Sequence, residues 1–165
     1  VAFATIEGRD FMPSLMCMLN TVSRCAALYQ SDRLEGTELK PPHCRYISVL
    51  CREPGQSQEQ LAKNIFVNKS QVTRHLAYLE EKGYISRKPG EDKRVLLVYP
   101  TEKAFAVLPR IREIFRDWNE WLTAGFTPEE QELFVALMQR AKDRAVSYDR
   151  GDDGPPLATV REDHR

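Results

Sequence analysis

No run of apolar residues in this 165-residue chain approaches the ~18 that a membrane span requires. Its start lacks a basic segment followed by a sustained apolar stretch, so no signal peptide is read there. Net charge is absent too, with 24 cations against 24 anions, which argues against a general coat for nucleic acid. The four cysteines, Cys17, Cys25, Cys44 and Cys51, contain no CxxC pair. They lie in otherwise apolar helical segments, a usage that suits reduced cytoplasmic thiols better than a disulfide framework. Three histidines and four cysteines show no ligand spacing, so neither a metal nor a cofactor is expected. There is no Gly-rich phosphate loop, no His-Glu-x-x-His and no nucleophile motif, and the chain is read as no enzyme.

What is present concentrates between Gln56 and Pro100. Ser57 with Gln60 three residues on is a reciprocal helix start, satisfying two orphaned amide donors. Leu61, Ala62 and Ile65 give that helix one apolar stripe. Asn68 with Gln71 repeats the signal for a second helix, which Gly83 ends. Val72, Leu76 and Leu79 then face inward, at i, i+4 and i+7. Ser70, Arg74, Ala77 and Glu81 point outward, with Gln71 and Thr73 on the flanks. The exposed first turns therefore carry Lys69, Ser70, Gln71, Thr73 and Arg74, side chains of the kind that reach base edges and phosphates. Tyr84–Lys88, a turn at Pro89-Gly90-Glu91-Asp92 and Lys93–Tyr99 read as a hairpin with a cationic tip. Two short helices and a basic hairpin make a winged helix-turn-helix. Between Lys63 and Arg94, eight cations face four acids, so the neutral chain carries a local basic surface.

The rest is helical. Ile6-Glu7-Gly8-Arg9 is identical to a protease-tag cleavage sequence, so residues 1–10 are read as tag-derived or a flexible start. Over 11–35, Phe11, Leu15, Met18, Val22, Cys25 and Tyr29 recur in steps of three and four and predict one long helix. Pro42 to Arg52 forms the next, burying Ile47, Leu50 and Cys51. Thr101 caps a third long helix with Ala104, Val107, Leu108, Ile111, Phe115, Trp118 and Leu122 as its stripe, and Pro109 bends it or removes a hydrogen bond. Thr127-Pro128-Glu129-Glu130 starts a last helix whose buried side is Leu133, Phe134, Leu137, Met138 and Ala141. The long helices carry more apolar stripe than a small wing module can cover. A second copy would cover it and set two recognition helices on one DNA face. The expected class is mostly α with a small β-hairpin wing. Residues 39–100 form the DNA-binding domain, 11–38 and 101–147 the dimerisation region, and 148–165 a flexible tail.

Over about residues 11–146 the sequence resembles the MarR family of bacterial and archaeal transcription regulators. The most specific segment is SQEQLAKNIFVNKSQVTRHLAYLEEKGYISRKPGEDKRVLLVYPTEK, Ser57 to Lys103. It keeps the family's Leu-Ala, Lys-Ser-x-Val-Thr-Arg, Leu-Glu-x-Lys-Gly-Tyr-Ile, Asp-x-Arg wing and Thr-Glu-Lys in order and spacing. The resemblance implies a homodimer on a pseudo-palindromic operator in double-stranded DNA. Ser70, Gln71, Thr73 and Arg74 would work in the major groove, and the Asp92 carboxylate would orient Arg94 with Lys93 at the wing tip. Phe66 stands where the family often has glycine, which predicts a locally different turn, because phenylalanine at positive φ is strained. Pro100 and Ala104 are smaller departures, replacing a leucine and a glycine.

Many relatives bind small aromatic acids, and Tyr29, His43, Cys44 and Tyr46 lie on the helices that would line such a pocket. The implied function is a repressor released by a phenolic or aromatic-acid effector. Two alternatives stand beside it. One is a thiol-based redox sensor through Cys17, although Cys17 sits one residue off the peroxide-sensing branch and Pro41 and Cys44 occupy its tyrosine positions. The other is a winged-helix module that docks on a protein.

Overall fold

The computed structural model describes residues 14–147. Phe11, the tag-like start and the predicted tail from residue 148 lie outside the described residues. In chain order the elements are α1 (Leu15–Arg33), α2 (Pro41–Arg52), β1 (Gln56–Ser57), α3 (Gln58–Ile65) and α4 (Lys69–Glu81). Then come β2 (Ile85–Pro89), β3 (Leu96–Pro100), α5 (Glu102–Leu122) and α6 (Pro128–Val146). Two compact units divide between Glu120 and Trp121.

In the first unit the core is built by α2, α3, α4, the sheet and α5. Ile47, Leu50, Leu61, Val72, Leu76, Leu79, Val98 and Ile111 are fully enclosed, each such side chain contributing roughly 1.5–3 kcal/mol on burial. The inward positions predicted for α3 and α4 are the ones found inside. Cys51 is half-buried rather than enclosed. Both short helices begin as the sequence predicts. Ser57 Oγ accepts the Gln60 amide and Gln60 Oε1 accepts the Ser57 amide, while Asn68 Oδ1 accepts the Gln71 amide at 2.9 Å. Gly83, at φ 74°, ends α4 in the left-handed conformation that glycine adopts without cost.

The turn between α3 and α4 keeps the left-handed geometry despite its phenylalanine. Phe66 sits at φ 53°, ψ 50°, and among the described residues it is the sole non-glycine with positive φ. Phenylalanine thus stands in the left-handed region at this turn, with the backbone strain that the sequence attaches to it.

The sheet has three strands in the order β1-β3-β2, all antiparallel. The two-residue β1 is an addition to the predicted hairpin. Gln56 opposes Val98 and Ser57 opposes Leu97. Gly55, at φ 80°, lets the chain pass over the Tyr99 ring, where a Cβ would meet the hydroxyl oxygen at 3.2 Å. The wing loop is longer than expected. Lys93, Arg94 and Val95 belong to it rather than to a strand, because the Val95 amide turns back to the Asp92 carbonyl at 2.8 Å. The Asp92 side chain accepts the Arg94 amide at 3.0 Å, an Asx turn that ends strand pairing at Pro89–Leu96.

The Thr101 hydroxyl donates to the Gly83 carbonyl at 2.7 Å, joining the start of α5 to the end of α4. Helix α5 continues through Pro109, whose ring faces solvent. Helix α1 packs no residue fully inside, and Leu15, Met18 and Val22 of its stripe are exposed.

In the second unit, the full cap at Thr127-Pro128-Glu130 starts α6, and Phe126 meets Phe134 edge to face at 5.6 Å. The predicted buried side of α6 is not buried within one chain: Leu133, Phe134, Leu137, Met138 and Ala141 are all exposed. Periodicity marks an apolar stripe, and it says nothing about which chain supplies the cover.

Candidate nucleic-acid interface

Helix α4 sorts its side chains by periodicity. With Val72, Leu76 and Leu79 inside, Lys69, Ser70, Gln71, Thr73 and Arg74 are all exposed. They differ in how freely they present their polar groups. Gln71 and Arg74 make no side-chain hydrogen bond or ion pair among the described residues. The Ser70 hydroxyl donates to Asn68 Oδ1 at 2.7 Å. Thr73 Oγ1 is within reach of the Lys69 carbonyl at 2.9 Å and of Gln58 Oε1 at 3.0 Å. Lys69 Nζ lies 3.0 Å from Glu59 Oε1. Gln58 and Glu59 are thus members of the site that sequence reasoning missed. The Ser57 cap places both in the first turn of α3, but only the folded helix pair sets them opposite α4.

In the wing, the Arg94 guanidinium donates to both Asp92 oxygens, from Nε at 3.1 Å and from a terminal nitrogen at 3.2 Å. The arginine hydrogen bonds hold the Asp92 carboxyl below its usual range, so it stays ionised and the fork persists in mild acid. Lys93, beside it, is exposed and makes no ion pair among the described residues.

Of the eight local cations, four are engaged by carboxylates. Lys69 meets Glu59, Lys82 meets Glu38 and Glu81, Arg87 meets Glu80, and Arg94 meets Asp92. Lys88 lies over the Tyr99 ring at 5.4 Å. Lys88, Lys63, Arg74 and Lys93 are all without an ion pair among the described residues, and they supply the free positive charge of this surface.

The residues expected to line an effector pocket lie in and beside the α2 packing. His43, Cys44 and Tyr46 are enclosed in the α2 packing. The His43 ring stacks on Tyr78 at 4.6 Å, and His75 lies 5.3 Å from both His43 and Tyr46. Burial, with His75 and Lys40 nearby, lowers the His43 pKa to about 4. Burial raises that of Cys44 to about 11. Tyr29 is half-buried against Trp118, with ring centroids 5.5 Å apart. None of the four lines the cleft of about 580 Å³ that opens between α1, α2 and α5 in the first unit. Ser23, Gln30, Pro42, Arg45 and Phe115 do. Cys17 is exposed on α1.

Among the described residues no helix is long and apolar enough to cross a membrane, and no three metal-ligating side chains gather.

The MarR family model matches residues 37–95, from the loop before α2 to the wing. The chain is similar to the uncharacterised HTH-type transcriptional regulator YybA of Bacillus subtilis (strain 168). The two are 35% identical over 132 residues, which is 79% of this chain and 88% of that protein. Among solved structures, the MarR protein of Peptoclostridium difficile superposes with a TM-score of 0.79 at 22% identity, covering 88% of this chain and 95% of that one. A MarR family regulator of Listeria monocytogenes, solved in complex with a 26mer DNA, has a TM-score of 0.76 at 21% identity, covering 82% and 91%. With identity and coverage of that order to YybA, and the family's winged-helix architecture in place, this chain is a member of the MarR family of transcriptional regulators.

Proposed function

We propose that the chain is a sequence-specific DNA-binding repressor that acts as a homodimer on a pseudo-palindromic operator, with residues 39–100 as the DNA-binding domain. One observation carries this reading: the exposed first turns of α4 leave Gln71 and Arg74 unengaged, while Asp92 pins Arg94 at the wing. An arginine and an amide on one helix face can each make a bidentate base contact in the major groove. Lys69, Ser70 and Thr73 beside them suit phosphates, and Lys93 with Arg94 suits the backbone or minor groove next to it. A Listeria relative of the same fold, solved in complex with a 26mer DNA, supports DNA as the partner. The exposed apolar stripes of α1 and of α6 support pairing with a second copy, since each needs a cover that one chain does not provide.

The effector of such a repressor would be a small aromatic acid or phenol held in the cleft beside Arg45, its carboxylate or phenol oxygen on the guanidinium and its ring against Phe115 and the prolines. No observation favours redox sensing. The Cys17 thiol stands exposed without a cationic partner among the described residues, and Cys44 is buried with its pKa raised.

The test is fluorescence anisotropy with duplexes from the region upstream of the chain's own coding sequence, with and without phenolic acids. Tight, salt-dependent binding that a phenolic acid weakens is the expected result. Equal, salt-independent weakness on promoter and mixed-sequence DNA would leave the fold as a protein-docking module.

A further inference from the structure

The first turn of α3 engages the recognition helix before any DNA is present. Glu59 Oε1 lies 3.0 Å from Lys69 Nζ, with both side chains more than half exposed at 60% and 73%. Lys69 holds the Glu59 carboxyl below its usual range, so it is fully ionised at neutral pH. Next to it, Gln58 Oε1 faces the Thr73 hydroxyl at 3.0 Å. Two of the five outward residues of α4 are therefore already partnered by α3, and one of those partners carries a negative charge.

An exposed ion pair of this kind adds little to the stability of the fold. Its consequence for a polyanion is larger. A phosphate approaching Lys69 comes within the ~8 Å screening length of Glu59 at physiological ionic strength. It must either displace the carboxylate or share the ammonium with it. Either way, a like charge stands beside the phosphate, and the lysine releases less of the DNA's counterion atmosphere than a free one would.

Resting on the DNA-binding reading above, we propose that Glu59 is a restraining residue of the interface, competing with DNA phosphate for Lys69 and so keeping the sequence-independent hold on DNA weak. The pair is weak enough to exchange, and the restraint is applied at the start of the recognition helix, where every duplex meets it. Weak binding to arbitrary sequence matters because a genome offers a vast excess of competing sites.

The experiment measures affinity of the full chain for a fluorescein-labelled mixed-sequence duplex of about 30 base pairs between 50 and 200 mM KCl, a range over which phosphate contacts dominate. The variants are Glu59→Gln, Lys69→Met and the double substitution, with Glu113→Gln on the exposed face of α5 as a control for net charge. Circular dichroism confirms that each is folded. Glu59→Gln is expected to bind about 1.5- to 5-fold more tightly per protomer. Its log–log salt slope should steepen by up to about 0.9 per protomer. Lys69→Met should abolish that gain, and Glu113→Gln should not reproduce it. If the unaltered chain binds no duplex with salt dependence, the DNA-binding reading falls and the proposal with it. If the unaltered chain binds but Glu59→Gln matches its affinity and slope, or the gain survives without Lys69, the proposal alone is overturned.

Discussion

The Asp92 carboxylate holds the Arg94 guanidinium through both oxygens, at 3.1 and 3.2 Å, and accepts the Arg94 amide at 3.0 Å. One acidic side chain thus shapes the wing loop and aims its arginine. An acid beside DNA repels phosphate, so simple charge counting says its removal should tighten binding. The geometry says the reverse. Asp92→Asn keeps an oxygen for the Arg94 amide and loses the charged fork. It should weaken DNA binding about 3- to 5-fold, a modest loss because the pair is bidentate but exposed. Anisotropy titration checks this, and tighter binding by the variant would show that Asp92 acts only as a charge.

Phe66 is held at φ 53° and is 59% exposed. An L-residue in that conformation costs roughly 1–2 kcal/mol, while glycine's extra backbone entropy costs about 0.5–1. Phe66→Gly should accordingly raise stability by about 0.5–1 kcal/mol, read from the urea midpoint. A large loss instead would mean that the ring's contacts outweigh the backbone strain.

These two cases mark what is legible in the sequence. Helix starts are local chemistry, so the Ser57–Gln60 and Thr127–Glu130 caps could be read directly and are found. The inward face of α4 follows from spacing alone. The Asx turn at Asp92, which converts Lys93–Val95 from strand to loop, was hidden because the same residues carry good strand and cation patterns. Strand β1 was hidden because Ser57 serves at once as strand residue and helix cap. Periodicity showed the α6 stripe of Leu133, Phe134, Leu137 and Met138 but assigned its cover to the same chain. The side chains expected for an effector meet a related limit of the sequence. His43 and Tyr46 lie on the expected helix but turn toward α4, and only the packed structure shows Arg45 facing the cleft.

His43 titrates with the fold. Its Nδ1 accepts the Lys40 amide at 3.1 Å, a bond that requires the ring nitrogen unprotonated, and its pKa is lowered from 6.5 to about 4 by burial. Below pH 6.5 the unfolded chain takes up a proton that the folded chain refuses, so stability present above that pH is lost as acid is added. The loss should reach about 2 kcal/mol by pH 5, and the lowered pKa of His75 adds in the same direction. Urea midpoints at pH 7.5, 6 and 5 measure it. The slope should flatten in His43→Gln, and an unchanged slope would place the titration elsewhere.

Cys44 is fully enclosed, with its pKa raised to about 11, whereas Cys17 and Cys25 are exposed on α1. A short pulse of iodoacetamide at pH 8 should leave Cys44 unlabelled in the native protein and label it on unfolding. Rapid native labelling at Cys44, read by peptide mass spectrometry, would contradict the packing of α2.

The central claim is that the outward face of α4 reads DNA, and Arg74, exposed and without an ion pair among the described residues, is its sharpest probe. The decisive measurement compares Arg74→Ala with the unaltered chain on a duplex selected by that chain from a randomised pool and on a mixed-sequence duplex. The account predicts a loss of about 1–3 kcal/mol on the selected duplex and a smaller one on the other. Equal affinity of the two proteins for the selected duplex would contradict it.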